Sequence, residues 1–399
     1  MRICLITTFF PPLHFGGDGI FVANLANSLA RAGHQVHVIH CADSFWLTRG
    51  TVEPSPVSIH PGIVVHTLSS SLGAFSPLLT QATGEPWLKR TKIAKILALG
   101  FDVIHWHNLS LIGGPGALDL GTGVKLCTLH DYWFICPTHI LFKNNEAACL
   151  TRECFQCQLH YRRPPQLWRY RDSIKHGIQH VDRFIAPSHF VQEQFCKDPL
   201  SIRSTLLPHF LPGPLLPCPD KTSDSGYFLF CGRLEKAKGL QTILPVFRKT
   251  QHRLLIAGAG SYEATLRALA AGSPNIEFLG RVPYDQLACL YRSARATIVP
   301  SVCYETFGLV ILESLKEMTP VITSSFGALP EVVQETGGGV VYQNLEEFEI
   351  LLDKFAQSGE AARAMGRIGY SNLSRYSDEE HLRKYFSIID SVKTRSEQM

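Results

Sequence analysis

Two glutamates eight positions apart, Glu305 and Glu313, stand in P-S-V-C-Y-E-T-F-G-L-V-I-L-E, residues 300–313. The apolar run after Gly308 reads as the start of a helix, and the residues before 300 as the end of a strand. Such a turn offers unpaired backbone N–H groups to an anion, and Phe307, Gly308 and Leu309 would supply them. Glu313 falls about two turns beyond Glu305, on nearly the same face. A carboxylate there can accept the vicinal hydroxyls of a ribose. Arg233 and Lys238, in C-G-R-L-E-K-A-K-G (231–239), follow another strand. A guanidinium fork and a compact ammonium suit a leaving group whose negative charge grows as a bond breaks. His130 ends a strand in T-L-H-D-Y-W, and Gly16 and Gly17 give backbone room for a phosphate or a sugar. Taken singly, each has a plainer reading: a capped helix, loop cations, a strand-end histidine, turn glycines.

The elements that must position these residues alternate along the chain. Strands are expected at 2–8, 35–40, 103–107, 125–129 and 183–186, with an amphipathic helix at 19–32 that Gly33 stops. A second set is expected at 227–231, 254–257, 276–279, 297–299 and 321–323. Strands alternating with helices make parallel sheets covered on both faces. Residues 207–226 hold five prolines and a polar end, the composition of a linker. The expected organisation is an N-terminal domain (1–208) with a cysteine-rich insertion at about 136–157, a linker (209–226) and a C-terminal domain (227–377). A last helical segment (378–399) is expected to pack back on the N-terminal domain. Two Rossmann-like, doubly wound α/β domains would face each other across a cleft, at the C-terminal ends of their strands.

Composition narrows the class. Hydrophobic residues make up 45% and charged residues 18% of 399, a globular balance with no room for a large disordered region. No run of eighteen apolar residues occurs, and the N-terminus lacks a cationic lead and cleavage site, so the expected location is cytoplasmic. Residues 1–208 carry 18 Lys and Arg against 13 Asp and Glu; the remainder carries 20 against 21. Arg162, Arg163, Arg169, Arg171 and Lys175 alternate with Trp168 and Tyr170, while Lys89, Arg90, Lys92 and Lys95 follow Trp87. Such faces suit an anionic membrane surface, at its inner side. No recognition motif accompanies the charge, so nucleic acid is not expected as a partner. Among the 12 cysteines, Cys136, Cys149, Cys154 and Cys157 are spaced C-x12-C-x4-C-x2-C. Four thiolates could close a structural zinc site, against the alternatives of redox sensing or plain reduced thiols.

The motifs together resemble those of family 4 retaining glycosyltransferases of the GT-B fold. The resemblance rests on P-S before E-x7-E, G-A-L-P-E after it (327–331), G-R-x4-K-G at 232–239 and H-D at 130–131, in the family's order. It implies transfer of a sugar from a UDP- or GDP-linked donor to a glycan or lipid-linked acceptor of cell-surface glycan synthesis. Arg233 and Lys238 would receive the diphosphate, Glu305 the transferred sugar, Glu313 the ribose, and His130 would support the sugar. His105 and His107 are acceptor-side candidates. No cofactor is expected for catalysis, and no D-x-D pair occurs in the chain to hold a metal. The rivals are a sugar-nucleotide epimerase and a non-catalytic GT-B-like binding protein. A dinucleotide oxidoreductase is disfavoured: G-A-G-S-Y-E, at 258–263, lacks the third glycine of G-x-G-x-x-G. The chain departs from the family at S-L-K-E-M-T-P (314–320), where glycine usually precedes T-P, and at L-P-H-F (207–210) in place of L-P-N-G.

Overall fold

A computed structural model describes residues 1–50, 52–213, 226–357 and 359–397. Strands β1 (Arg2–Ile6), β2 (Gln35–Cys41), β3 (Ile63–Leu68), β4 (Val103–Trp106) and β5 (Val124–Thr128) precede a short hairpin, β6 (Phe142–Lys143) and β7 (Ala147–Ala148). Then come β8 (Arg183–Ala186), β9 (Ser204–Leu206), β10 (Tyr227–Cys231), β11 (Arg253–Ala257) and β12 (Ile276–Gly280). The last are β13 (Thr297–Val299), β14 (Val321–Ser324) and β15 (Gly339–Tyr342). Two compact units result. One comprises Met1–His139, Glu153–Pro212 and Asp378–Met399, the other Ile140–Arg152 and Gly213–Ser377.

The first unit holds a parallel sheet in the order β3-β2-β1-β4-β5-β8-β9. Its central strands are buried along almost their whole length because helices cover both faces. The helix Gly17–Arg31 turns Phe21, Val22, Leu25, Ala26 and Leu29 onto the sheet. Their spacing is one stripe of a 3.6-residue period. The last helix, Asp378–Glu397, belongs to this unit and buries Tyr385, Ile388 and Ile389 in the same core. Its start is tied down where Ser28 Oγ donates to Asp378 Oδ2 at 3.1 Å. Of the expected linker, His209, Phe210 and Leu211 are buried in this unit, and 214–225 lie outside the described residues.

The second unit holds a parallel sheet in the order β12-β11-β10-β13-β14-β15. Strand order reverses between β10 and β13, and open α/β sheets bind ligands beyond the carboxyl ends of strands at such a reversal. The loop carrying Arg233 and Lys238 leaves β10, and the one carrying Ser301 and Glu305 leaves β13. The hairpin β6–β7 packs Phe142 against Ala237 and Cys303 in this unit, although sequence order places it inside the first. Among the described residues, no helix is long and apolar enough to cross a membrane.

Candidate functional site

The two loops beside the β10/β13 reversal touch through side chains. Lys238 Nζ donates to Glu305 Oε1 at 2.6 Å, and Ser301 Oγ donates to the same oxygen at 2.5 Å. Burial opposes the charge of Glu305, but Lys238, Ser301 and Arg233 together outweigh it and hold the carboxyl below its ordinary range. Burial likewise opposes the charge of Lys238, and Glu305 reverses that, so the ammonium is held above its ordinary range. Both groups are therefore ionised near neutrality. Arg233 is exposed, and its guanidinium has no hydrogen-bond or ion-pair partner among the described residues. It stands open for an anion.

Two glycines show why the backbone can bring these loops together. Gly239 has φ 75°, and a Cβ there would lie 1.8 Å from the carbonyl oxygen of Pro300. Gly327 has φ 70°, and a Cβ would lie 2.3 Å from both the N and the O of Glu305, whose carbonyl accepts from Ala328 N–H at 2.9 Å. Only glycine fits either place, which gives the terminal glycine of G-R-x4-K-G and the first of G-A-L-P-E a physical reason.

The expected helix begins at Leu309 and runs to Lys316, capped by Gly308 at φ 95°. The N–H groups of Gly308 and Leu309 find no acceptor among the described residues and sit at the positive end of the helix dipole. Phe307 points into the core, 5.9 Å from the Tyr376 ring, and so contributes backbone alone. Glu313 lies one side chain deeper and accepts a hydrogen bond from Tyr291 Oη at 3.1 Å. Burial pushes Glu313 up, with Tyr291 and Lys316 opposing. Tyr291 and Ser301 are functional candidates that the sequence reading missed. Tyr291 comes from the helix Tyr284–Ser293, 22 residues away, and no spacing rule links it to Glu313. The departure at 314–320 is accommodated locally: Met318 adopts φ 54°, a conformation natural to glycine, and Glu317 pairs with Arg292 at 2.6 Å.

In the first unit Gly16 has φ 87° and caps the helix that Gly17 opens, so only Gly16 uses the left-handed freedom expected of both. His130 belongs to a buried cluster around the Phe21 ring. His107 Nδ1 and His130 Nε2 are 2.8 Å apart, and His130 Nδ1 and His209 Nε2 are 3.4 Å apart. His105 bonds Thr128 Oγ1 at 2.8 Å and Tyr385 Oη at 3.2 Å, and His381 Nδ1 donates to the carbonyl of Pro208 at 2.9 Å. Burial pushes His130 and His381 down to about 4, and His105, His107 and His209 also fall well below the ordinary value. All five are neutral at pH 7, so each has one donor and one acceptor nitrogen and their tautomers are coupled. His105 and His107, expected on the acceptor side, are interior residues, and both ring nitrogens of His130 already face histidines.

Among the described residues no three His, Cys, Asp or Glu side chains are grouped to hold a metal ion. Cys136, Cys154 and Cys157 lie in the first unit and Cys149 in the second. Cys136 Sγ sits 3.2 Å from Thr138 Oγ1, and Cys149 Sγ contacts the carbonyl of Thr151 at 3.6 Å. Hydrogen bonding and the turn residues Asn144 and Asn145 order this segment (φ 52° and 55°). The basic stretches are likewise rearranged. The Arg169 guanidinium lies against both Trp133 and Trp168, 5.0 and 4.8 Å from their ring centres, and Lys89 is buried.

Family models match nearly the whole chain: "Glycosyltransferase Family 4" over residues 15–210 and "Glycosyl transferases group 1" over residues 219–372. A glycogen synthase of Mycobacterium tuberculosis is 26% identical over 365 residues, covering 85% of this chain and 82% of its own. Among solved structures, sucrose-phosphate synthase from Thermosynechococcus elongatus has the same fold, with a TM-score of 0.74 at 19% identity over 99% of both chains. The Anabaena protein HepE, solved with UDP and glucose, aligns with a TM-score of 0.66 at 16% identity, over 98% of this chain and 100% of its own.

Proposed function

The chain belongs to the family 4 glycosyltransferases of the GT-B fold, and from that premise we propose that it transfers a sugar from a UDP- or GDP-linked donor to a hydroxyl of a glycan or lipid-linked acceptor, with retention and without a metal ion. One observation carries the reading: an ion pair between Lys238 and Glu305, braced by Ser301 and flanked by the unpartnered Arg233, beside a strand-order reversal.

The acceptor oxygen attacks the anomeric carbon as the bond from that carbon to the diphosphate oxygen breaks. Arg233 and Lys238 meet the charge that develops on the diphosphate, and the N–H groups of Gly308 and Leu309 add two neutral donors. A diphosphate oxygen takes the proton of the acceptor hydroxyl, which keeps attack on the leaving group's side and preserves configuration. Glu305 accepts from hydroxyls of the transferred sugar while Lys238 and Ser301 hold its carboxylate. Glu313, steadied by Tyr291, accepts from the ribose. His130 can offer one ring nitrogen to a hydroxyl-bearing ligand by giving up its 3.4 Å bond to His209. HepE's complex with UDP and glucose supports the donor class, and the likeness to glycogen synthase supports a glycan acceptor. The enzyme works in the cytoplasm, at the inner face of the membrane where the acceptor is lipid-linked.

The test is product stereochemistry read from anomeric proton couplings, beside turnover of Arg233→Ala. Retention and a large loss of turnover are expected; an inverted product or near-normal turnover overturns the assignment.

A further inference from the structure

Residues 140–152 interrupt the first unit in sequence and fold with the second. The chain reaches them from β5 through His130 and Asp131, and Asp131 fixes the point of departure. His139 Nδ1 donates to its Oδ2 at 2.8 Å, and Trp133 N–H donates to its Oδ1 at 2.8 Å. His139 and Leu141 both hold positive φ, 77° and 47°, in the region that favours glycine. Such backbone persists only where its surroundings over-determine it. Here Tyr132 N–H donates to the His139 carbonyl at 2.9 Å, and Cys149 N–H donates to that of Leu141 at 2.7 Å. The strain is therefore held in place on both sides of Ile140, immediately before β6.

What this constrained path delivers is one side chain. Phe142 is 1% exposed and buries its ring against Ala237 and Cys303, with Ile140 and Val302 packed on the same cluster. Ala237 immediately precedes Lys238, and Cys303 lies midway between Ser301 and Glu305. Backbone joins the same two loops where Val302 N–H donates to the Ala237 carbonyl at 3.0 Å. The partners that Phe142 finds outside its own hairpin are thus chain neighbours of the Lys238–Glu305 pair. The far end of the hairpin is different: Glu146, Ala147 and Leu150 are exposed, Leu150 by 84%. Truncating a fully buried ring leaves a cavity into which its neighbours relax. In this place the neighbours are the two loops whose side chains must stay 2.6 Å apart.

We infer that Phe142 is a positioning residue for Lys238 and Glu305, and that the hairpin within 140–152 braces the two loops that carry them. The inference rests on the proposed function for its effect on turnover, but its structural half is tested without donor or acceptor. Hydrogen exchange of the full-length protein is followed by mass spectrometry for the unaltered chain and Phe142→Ala. Exchange across 236–239 and 301–305 should quicken about tenfold in the variant, while β10 and β13 keep their protection. With donor and acceptor, Phe142→Ala should lower kcat about tenfold and leave the KM for donor within about threefold, as misplacement of catalytic groups does. Phe142→Leu, which refills most of the space, should restore slow exchange and most of kcat. Leu150→Ser, on the exposed end of the same hairpin, should change neither. Unaltered exchange in Phe142→Ala overturns the inference, as does a kcat that stays normal while exchange quickens. Near-normal turnover of Glu305→Gln overturns the proposed function instead, and the exchange result then decides the bracing alone.

Discussion

The two units bury polar side chains in opposite ways. The first gathers four histidines around Phe21, with His105 stacked beyond His107, and keeps all five neutral because burial disfavours their charge. The second half-buries a carboxylate and an ammonium together and keeps both charged, because each lies 2.6 Å from the other. A neutral cluster rigidifies and orients; a charged pair can exchange partners with an anionic ligand. The difference teaches which unit uses its polar interior to hold shape and which keeps charge in reserve for an anion.

The largest expected effect is on that charged pair. Glu305→Gln or Arg233→Ala should lower kcat/KM by roughly 10²–10³ with the fold intact, the size found when a transition-state charge partner is removed. A steady-state assay with donor checks it, and a loss below about tenfold would place the chemistry elsewhere. The next effect breaks the comparison through pH. The histidines have folded values depressed below about 6.5, so below that pH the unfolded chain takes up protons that the folded unit refuses. Stability of the first unit should fall as pH drops from 6.5 towards 4, by roughly 1–3 kcal/mol for each such histidine. The depressed Glu305 keeps its contribution above its unfolded value of about 4.5 and loses it progressively below that. All five tryptophans lie in the first unit, so melting followed by tryptophan emission reports that unit alone. An emission midpoint unchanged between pH 7 and 4.5 would remove the contrast.

Tyr291→Phe sharpens the comparison within the second unit. It removes one hydrogen bond to Glu313 worth about 1 kcal/mol, so KM for the donor should rise about fivefold while kcat is kept. A fall in kcat instead would move Tyr291 into the chemistry. The smallest effect concerns the last helix, where Ser28→Ala loosens one bond to Asp378 that is shared with a solvent-exposed Arg31. Thermal unfolding should show a cost of at most about 1 kcal/mol.

The second unit's site was the more legible in sequence. Each of its motif residues follows a strand end within a few positions, so local pattern places Arg233, Lys238 and Glu305 on adjoining loops. Tyr291 was hidden because its contact with Glu313 depends on how two helices pack. The first unit defeated pattern reading at its site: His209 and His381 arrive from a proline-rich segment and from the last helix. Strands β3, β9 and β15 were missed for a related reason. β3 and β9 are edge strands in which Val64 and Val65 are exposed or polar residues recur, and β15 begins with a glycine. The basic stretch after Trp87 was misread at Lys89, since a cation following tryptophan looks like surface until burial is known.

The central claim is that the second unit grips a nucleotide sugar with two glutamates in separate roles. Thermal unfolding of the full chain should be followed with UDP, GDP and ADP and with their sugars, for the unaltered protein, Glu305→Gln and Glu313→Gln. One nucleotide class should raise the midpoint, and its sugar should raise it further. Glu313→Gln should weaken the response to the nucleotide itself, whereas Glu305→Gln should keep that response and lose the increment from the sugar. If no nucleotide sugar stabilises the protein, or both variants respond as the unaltered chain does, the assignment is wrong.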